Sequence, residues 1–220
     1  MQQNLALERL YAEVKARLLG AEAAHGWEHA RRVYDAALAI AQAEGYEGNR
    51  FVLGAAALLH DLADHKFVPE RQERKRIILE FLQEYGLEKG LTEEIFLATE
   101  GVSFSQNKGE TAEPGALLRI LRDADRLDAM GAMGIARTFA YGGRVDRPLL
   151  AEGGEQGSVE HFFEKLLLLK DGLYTEAAKA LAAERHAFLL EFLRHFFIEY
   201  YGEEEGLRLL DERLTKIAQI

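Results

Sequence analysis

His60 and Asp61 stand side by side at the end of a run, residues 51–63, that is apolar on all sides until its last turn. An ionisable pair in that setting is costly to bury without compensation, and a bound divalent cation or a structural ion pair could supply it. Three further features favour the cation. Asp64 lies one helical turn beyond His60, so the face carrying the pair presents a second carboxylate. His29 sits near the start of the helical pattern upstream, in HGWEHARRV, beside an apolar stripe. Asp125 lies in RDADRLDAMG, where Asp123, Asp125 and Asp128 interrupt an otherwise apolar helix. Two imidazoles and two carboxylates from three helices make a mixed nitrogen and oxygen site suited to a divalent transition metal. For the Asp cluster alone, a solvated face paired with Arg122 and Arg126 is the competing reading.

The elements that must bring these residues together read almost entirely as helices. Leu7, Leu10, Tyr11, Val14 and Leu18 form one stripe of helical period, ended by Gly20, and Val33, Ala36, Ala37, Ile40 and Ala41 form a second, ended by Gly45. The run over 51–63 predicts a buried central helix. Ile77, Ile78, Phe81, Leu82 and Tyr85 predict a fourth helix closed by Gly86, and Thr92 is the expected N-cap of a fifth. Residues 101–113 lack apolar period and read as loop. Pro114 suits the first position of a helix reaching about Asp128. The glycine-rich stretch 141–158 is the longest irregular segment, a lid or a linker, and two long helical patterns follow over about 174–201 and 203–220. Phe188, Phe192, Phe196 and Phe197 have core spacing, with His186 and His195 as packing or surface residues beside them. No alternating strand pattern appears. The expected fold is all-α and one domain, 1–220, with a core over about 20–140 and a packed helical extension from about 159.

Composition narrows the chemistry further. There is no Cys among the 220 residues, so disulfides, thiolate metal sites and Cys nucleophiles are excluded, and any metal must be held by His and carboxylate ligands. With 27 Lys and Arg against 37 Asp and Glu, the net charge of −10 argues against a nucleic-acid partner. The N-terminal stretch mixes charges into a helical period and does not read as a signal peptide, and no apolar run is long enough to span a bilayer. A cytoplasmic protein without membrane association is expected.

His29, then His60-Asp61, then Asp125 resemble the H…HD…D signature of the HD-domain metal-dependent phosphohydrolases. HGWEHARRV is similar to the family's first motif, LLHDLADHKF to its HD motif and LRDADRLDAMGAMGIARTF to its last. The last stretch is especially similar to a group of small bacterial HD hydrolases, and that likeness covers about residues 5–200. The resemblance implies an all-helical HD fold, a metal bound by His29, His60, Asp61 and Asp125, and hydrolysis of a phosphoester by metal-bound water. Asp64 falls where several nucleotide-cleaving relatives carry an acid assigned to acid–base work; support to a metal ligand is its other reading. Relatives with two metals have extra His ligands between the HD pair and the final Asp, whereas this chain has none between His65 and Asp125. Val102 stands where the subgroup often has a His before Ser-Phe-Ser. One ion of Mn, Fe, Co, Ni or Zn is therefore expected, with a second, held by Asp64 and substrate, left open.

Within these motifs His65, Lys66 and Arg126 are candidate phosphate contacts, and His25 is a candidate for lining the cleft. Ser103 and Ser105 could hydrogen-bond a substrate or be ordinary loop serines. The expected partner is a small phosphorylated substrate, with a nucleotide as first choice. Two other functions compete. His25-Gly-Trp-Glu-His29 satisfies the H-x-x-E-H pattern of inverted zinc peptidases, with Glu28 as base. A non-catalytic nucleotide-binding module could also retain the fold.

Overall fold

The structure, a computed structural model, describes residues 2–19, 26–62, 68, 70–102, 113–151 and 157–217. Among the described residues there are ten α-helices and one 3₁₀ helix, and no strand. In chain order they are α1 (Gln2–Leu18), α2 (Trp27–Ala43), α3 (Arg50–Leu59), α4 (Arg71–Gln83), α5 (Lys89–Glu100), α6 (Ala116–Asp128), α7 (Gly131–Arg144), α8 (Glu160–Glu164), the 3₁₀ helix (Leu166–Gly172), α9 (Glu176–Tyr201) and α10 (Glu203–Ile217). None of them is long and apolar enough to cross a membrane. The chain forms two compact units, Met1–Asp125 with Tyr174–Ala177, and Arg126–Leu173 with Ala178–Ile220.

The first unit is built around α3. Asn49 starts it as N-cap, its Oδ1 accepting from the amides of Phe51 and Val52 at 3.0 and 3.3 Å. Every residue from Phe51 to Leu59 is buried, because α1, α2 and α5 all pack on this helix. Gly54 permits that density: a Cβ there would lie 3.0 Å from the Tyr34 ring and 3.1 Å from Leu7. α2 is amphipathic, burying Val33, Ala37, Ile40 and Ala41, and ends where Gly45 takes a φ of +63°. α4 packs against α5.

In the second unit, Phe139 from α7 meets Phe162 from α8 and Phe192 and Phe196 from α9, with ring centroids 5.6–6.4 Å apart across the cluster. Glu160 accepts from the Ala151 amide and from Arg213 of α10, fastening the segment before α8 to both helices.

Several local expectations are corrected. α7 runs to Arg144, so Gly142 and Gly143 are helical and the irregular stretch begins only after them. Gly142 is there for space, since a Cβ would fall 2.1 Å from Ser158 Oγ. α5 begins at Lys89 with Glu88 as its N-cap residue, and Thr92 lies inside the helix, its hydroxyl donating to the Lys89 carbonyl. Pro114 precedes α6, which starts at Ala116. Phe188 is 46% exposed, whereas Phe197 is fully buried.

Candidate metal centre

Three helix termini and helix faces of the first unit supply the site. His29 is the third residue of α2 and is 1% exposed. His60 is the C-cap of α3, so the apolar helix delivers it and Asp61 at the point where its own hydrogen bonding ends. Asp125 projects from the last two turns of α6.

These side chains converge. His29 Nε2 lies 3.2 Å from His60 Nε2, 3.3 Å from Asp61 Oδ2 and 3.4 Å from Asp125 Oδ1. His60 Nε2 lies 3.5 Å from Asp61 Oδ1 and 3.8 Å from Asp125 Oδ1. The Asp61 carboxylate thus offers one oxygen towards each imidazole. Metal–ligand bonds of about 2.0–2.2 Å place neighbouring ligand atoms roughly 3.0–3.5 Å apart, close to the separations here. His60 Nδ1 is 2.8 Å from the Ala57 carbonyl, which can only accept, so the ring proton sits on Nδ1 and Nε2 presents a lone pair. A donor set of two imidazoles and two carboxylates fits a divalent transition ion. His29, His60 and Asp125 each offer a ligand atom within 4.8 Å of the others.

The electrostatics agree. Burial pushes the Asp125 carboxyl up, but the hydrogen bond with His29 and the charges of His60 and His29 outweigh it, and the group is held below the usual carboxylate value. His29, His60 and Asp61 side chains are 2–8% exposed and Asp125 is 30% exposed, so solvent reaches the cluster beside Asp125.

The neighbours of Asp125 on α6 are not a solvated face. Asp123 is fully buried, and its carboxylate accepts from the amides of Tyr174 and Thr175 and from the Thr175 hydroxyl. Arg122 is buried and its Nε donates to the Gly101 carbonyl at 2.7 Å. In the second unit, Asp128 pairs with Arg137, and Arg126 is buried with its guanidinium on the Gly172 carbonyl. The solvated-face reading is corrected on each count. Nothing in the sequence named Thr175 as the partner of Asp123; a Thr just before a helical pattern signals a helix start and no more.

Glu28 is 66% exposed and bound to Arg31, one turn along α2. Of the H-x-x-E-H residues, Glu28 and His29 lie on α2, and it is His29 that joins His60. Val102 is buried apolar packing. His195 is exposed, while His186 is partly buried, its Nδ1 without a hydrogen-bond partner among the described residues. His25, Asp64, His65, Lys66, Ser103 and Ser105 lie outside the described residues.

Comparison with known proteins gives a consistent result. The HD domain family matches residues 26–130, which span all four clustered residues. The uncharacterized protein YpgQ of Bacillus subtilis is 36% identical over 188 residues, 85% of this chain and 90% of the relative. The crystal structure of B. subtilis YpgQ in complex with ADP has a TM-score of 0.73 and 30% identity, covering 90% of this chain and all of that one. An HD-superfamily hydrolase from Bacillus thuringiensis has a TM-score of 0.72 and 34% identity, covering 90% of this chain and 98% of that one.

Proposed function

Because the chain belongs to the HD-domain superfamily, we propose that it is a metal-dependent phosphohydrolase acting on a nucleotide phosphoester, with His29, His60, Asp61 and Asp125 as the ligands of one divalent ion. The observation that carries this reading is the convergence of His29 Nε2, His60 Nε2 and Asp125 Oδ1 within 3.2–3.8 Å, with the two Asp61 oxygens 3.3 and 3.5 Å from the imidazoles. When bound, a divalent cation supplies Lewis-acid polarisation of a phosphoryl oxygen and lowers the pKa of a water molecule.

The chain's own residues prepare the rest. The Ala57 carbonyl keeps the proton of His60 on Nδ1 and fixes the ring's direction. Burial of His29, His60 and Asp61 limits water at those side chains, and Asp125, the most exposed of the four, is the proposed point of approach for a phosphate. Asp64 is assigned the proton, given to the leaving oxygen or taken from the attacking water. His25, His65 and Lys66 are the proposed phosphate contacts; Arg126 donates to the Gly172 carbonyl. A second ion is not part of the proposal.

A nucleotide is favoured because B. subtilis YpgQ, similar along most of its length, has been crystallised in complex with ADP. The test is a panel of nucleoside mono-, di- and triphosphates, sugar phosphates and an aryl phosphate, assayed for product with Mn²⁺ and with EDTA. Metal-dependent turnover of a nucleotide supports the proposal. Nucleotide binding without turnover of any ester would instead support a non-catalytic module.

A further inference from the structure

The Asp123 carboxylate makes a dense set of contacts on the helix that carries Asp125. Its Oδ1 accepts from the Tyr174 amide at 3.0 Å, and its Oδ2 accepts from the Tyr174 amide at 3.1 Å, the Thr175 amide at 2.7 Å and the Thr175 hydroxyl at 2.7 Å. The residue is fully buried and Thr175 nearly so. Residues two apart on an α-helix point about 200° away from each other. Asp123 therefore grips the chain on the side of α6 nearly opposite Asp125, where a fixed contact resists rotation of the helix about its axis. Arg122 adds a second grip at another azimuth through the Gly101 carbonyl at the end of α5. The gripped segment, Tyr174–Ala177, is also tied to α2, because the Ala177 amide donates to Glu44 Oε1 at 2.8 Å and Glu44 is the C-cap of that helix. The segment thus staples α6, which carries Asp125, to α2, which carries His29.

We propose that Asp123, clamped by Tyr174 and Thr175, is the positioning residue that sets the rotation of α6 and so aims the Asp125 carboxylate at His29. The proposal rests on the reading that His29, His60, Asp61 and Asp125 hold a divalent ion. Asp123 does not touch that ion. Its effect is transmitted by the helix, and the arm through exposed Glu44 contributes less than the buried clamp.

The test measures Mn²⁺ affinity of the full-length protein by calorimetry, alongside Tm. Asp123→Asn turns an amide N–H towards at least one of the clamping donors, and it should weaken Mn²⁺ binding by about 10-fold or more. Thr175→Val removes one donor at nearly constant shape and should weaken binding by a few-fold, on the order of one hydrogen bond. Thr175→Ser should restore it. Leu10→Ala, a core truncation on α1 chosen to lower Tm comparably, should bind Mn²⁺ as the wild type does. If Asp123→Asn does not fold, the Thr175 pair decides. Wild-type-like affinity in Asp123→Asn or Thr175→Val with a lowered Tm would overturn the positioning role and leave a stability clamp. Absence of Mn²⁺ binding by the wild type would overturn the metal reading itself, and this proposal with it.

Discussion

The Nε2 atoms of His29 and His60 lie 3.2 Å apart, although the residues are 31 positions apart in the chain. Two ring nitrogens at that distance must share a proton or a cation, because bare lone pairs repel. The Ala57 carbonyl already holds the His60 proton on Nδ1, and Asp61 Oδ2 and Asp125 Oδ1 lie 3.3 and 3.4 Å from His29 Nε2. A divalent cation between His29, His60 and Asp125 would relieve that repulsion, with Asp61 as the proposed fourth ligand, and the predictions below follow from that proposal and from the packing around it.

Glu28→Gln should leave Mn²⁺ affinity, hydrolysis and the unfolding midpoint unchanged. Glu28 is exposed and its carboxylate is occupied by Arg31 at 3.3 Å, a surface pair of little energetic weight. Steady-state kinetics on the best ester, with a peptide substrate in parallel, checks this. A peptide cleaved by wild type and spared by the variant would restore the peptidase reading.

Asp64→Asn should keep the metal and lose kcat by about 10²- to 10⁴-fold, the range for a general acid or base. An aryl phosphate, whose leaving group needs less protonation, should suffer less than an alkyl ester. Parallel loss of metal content and kcat would make Asp64 a ligand or its direct support instead.

How much of this was visible in the sequence depended on whether a feature is local. The grouping of His29, His60 and Asp125 was legible because each lies in a sequence motif and because acids and imidazoles at the end of an apolar helix demand compensation. The centre of the fold was legible for the same reason, since α3 is apolar all round. The motif singled out Asp125, but the role of Asp123 was not legible, because nothing local to α6 shows what its carboxylate faces, and Thr175 lies 52 residues away. Gly142 and Gly143 read as helix breakers, yet α7 continues through them, and a Cβ at Gly142 would meet Ser158 Oγ. Thr92 had the chemistry of an N-cap, but its hydroxyl spends its bond on the Lys89 carbonyl inside α5.

Glu100→Gln should destabilise the protein by roughly 1–3 kcal/mol. Arg74 is nearly buried and binds Glu100 through two parallel bonds of 2.7 and 2.9 Å, with a third bond to the Val68 carbonyl, so an amide would leave one guanidinium contact uncompensated. Arg76→Ala, on the same helix but exposed with Glu73 and Glu80, should change stability little. Urea unfolding of both variants makes the comparison.

Acid should weaken the second unit over a defined window. Burial, with help from the Lys165 and Arg147 charges, lowers the His161 imidazole from 6.5 to about 4. A depressed value means that the unfolded chain takes up the proton first. The stability contribution is complete above pH 6.5 and is lost as pH falls towards 4. The urea midpoint should decline across that range, and His161→Gln should flatten the decline. An unchanged slope in the variant would assign the acid sensitivity to other groups.

The most direct measurement is metal stoichiometry. Wild-type protein, stripped with chelator and titrated with Mn²⁺, should take up about one ion per chain, as expected for one cluster of two imidazoles and two carboxylates. Asp61→Ala and Asp125→Ala should each lose most of that binding, whereas Asp211→Ala, an exposed position on α10, should bind as wild type does. No uptake by the wild type, or full uptake by Asp61→Ala and Asp125→Ala, would contradict the account.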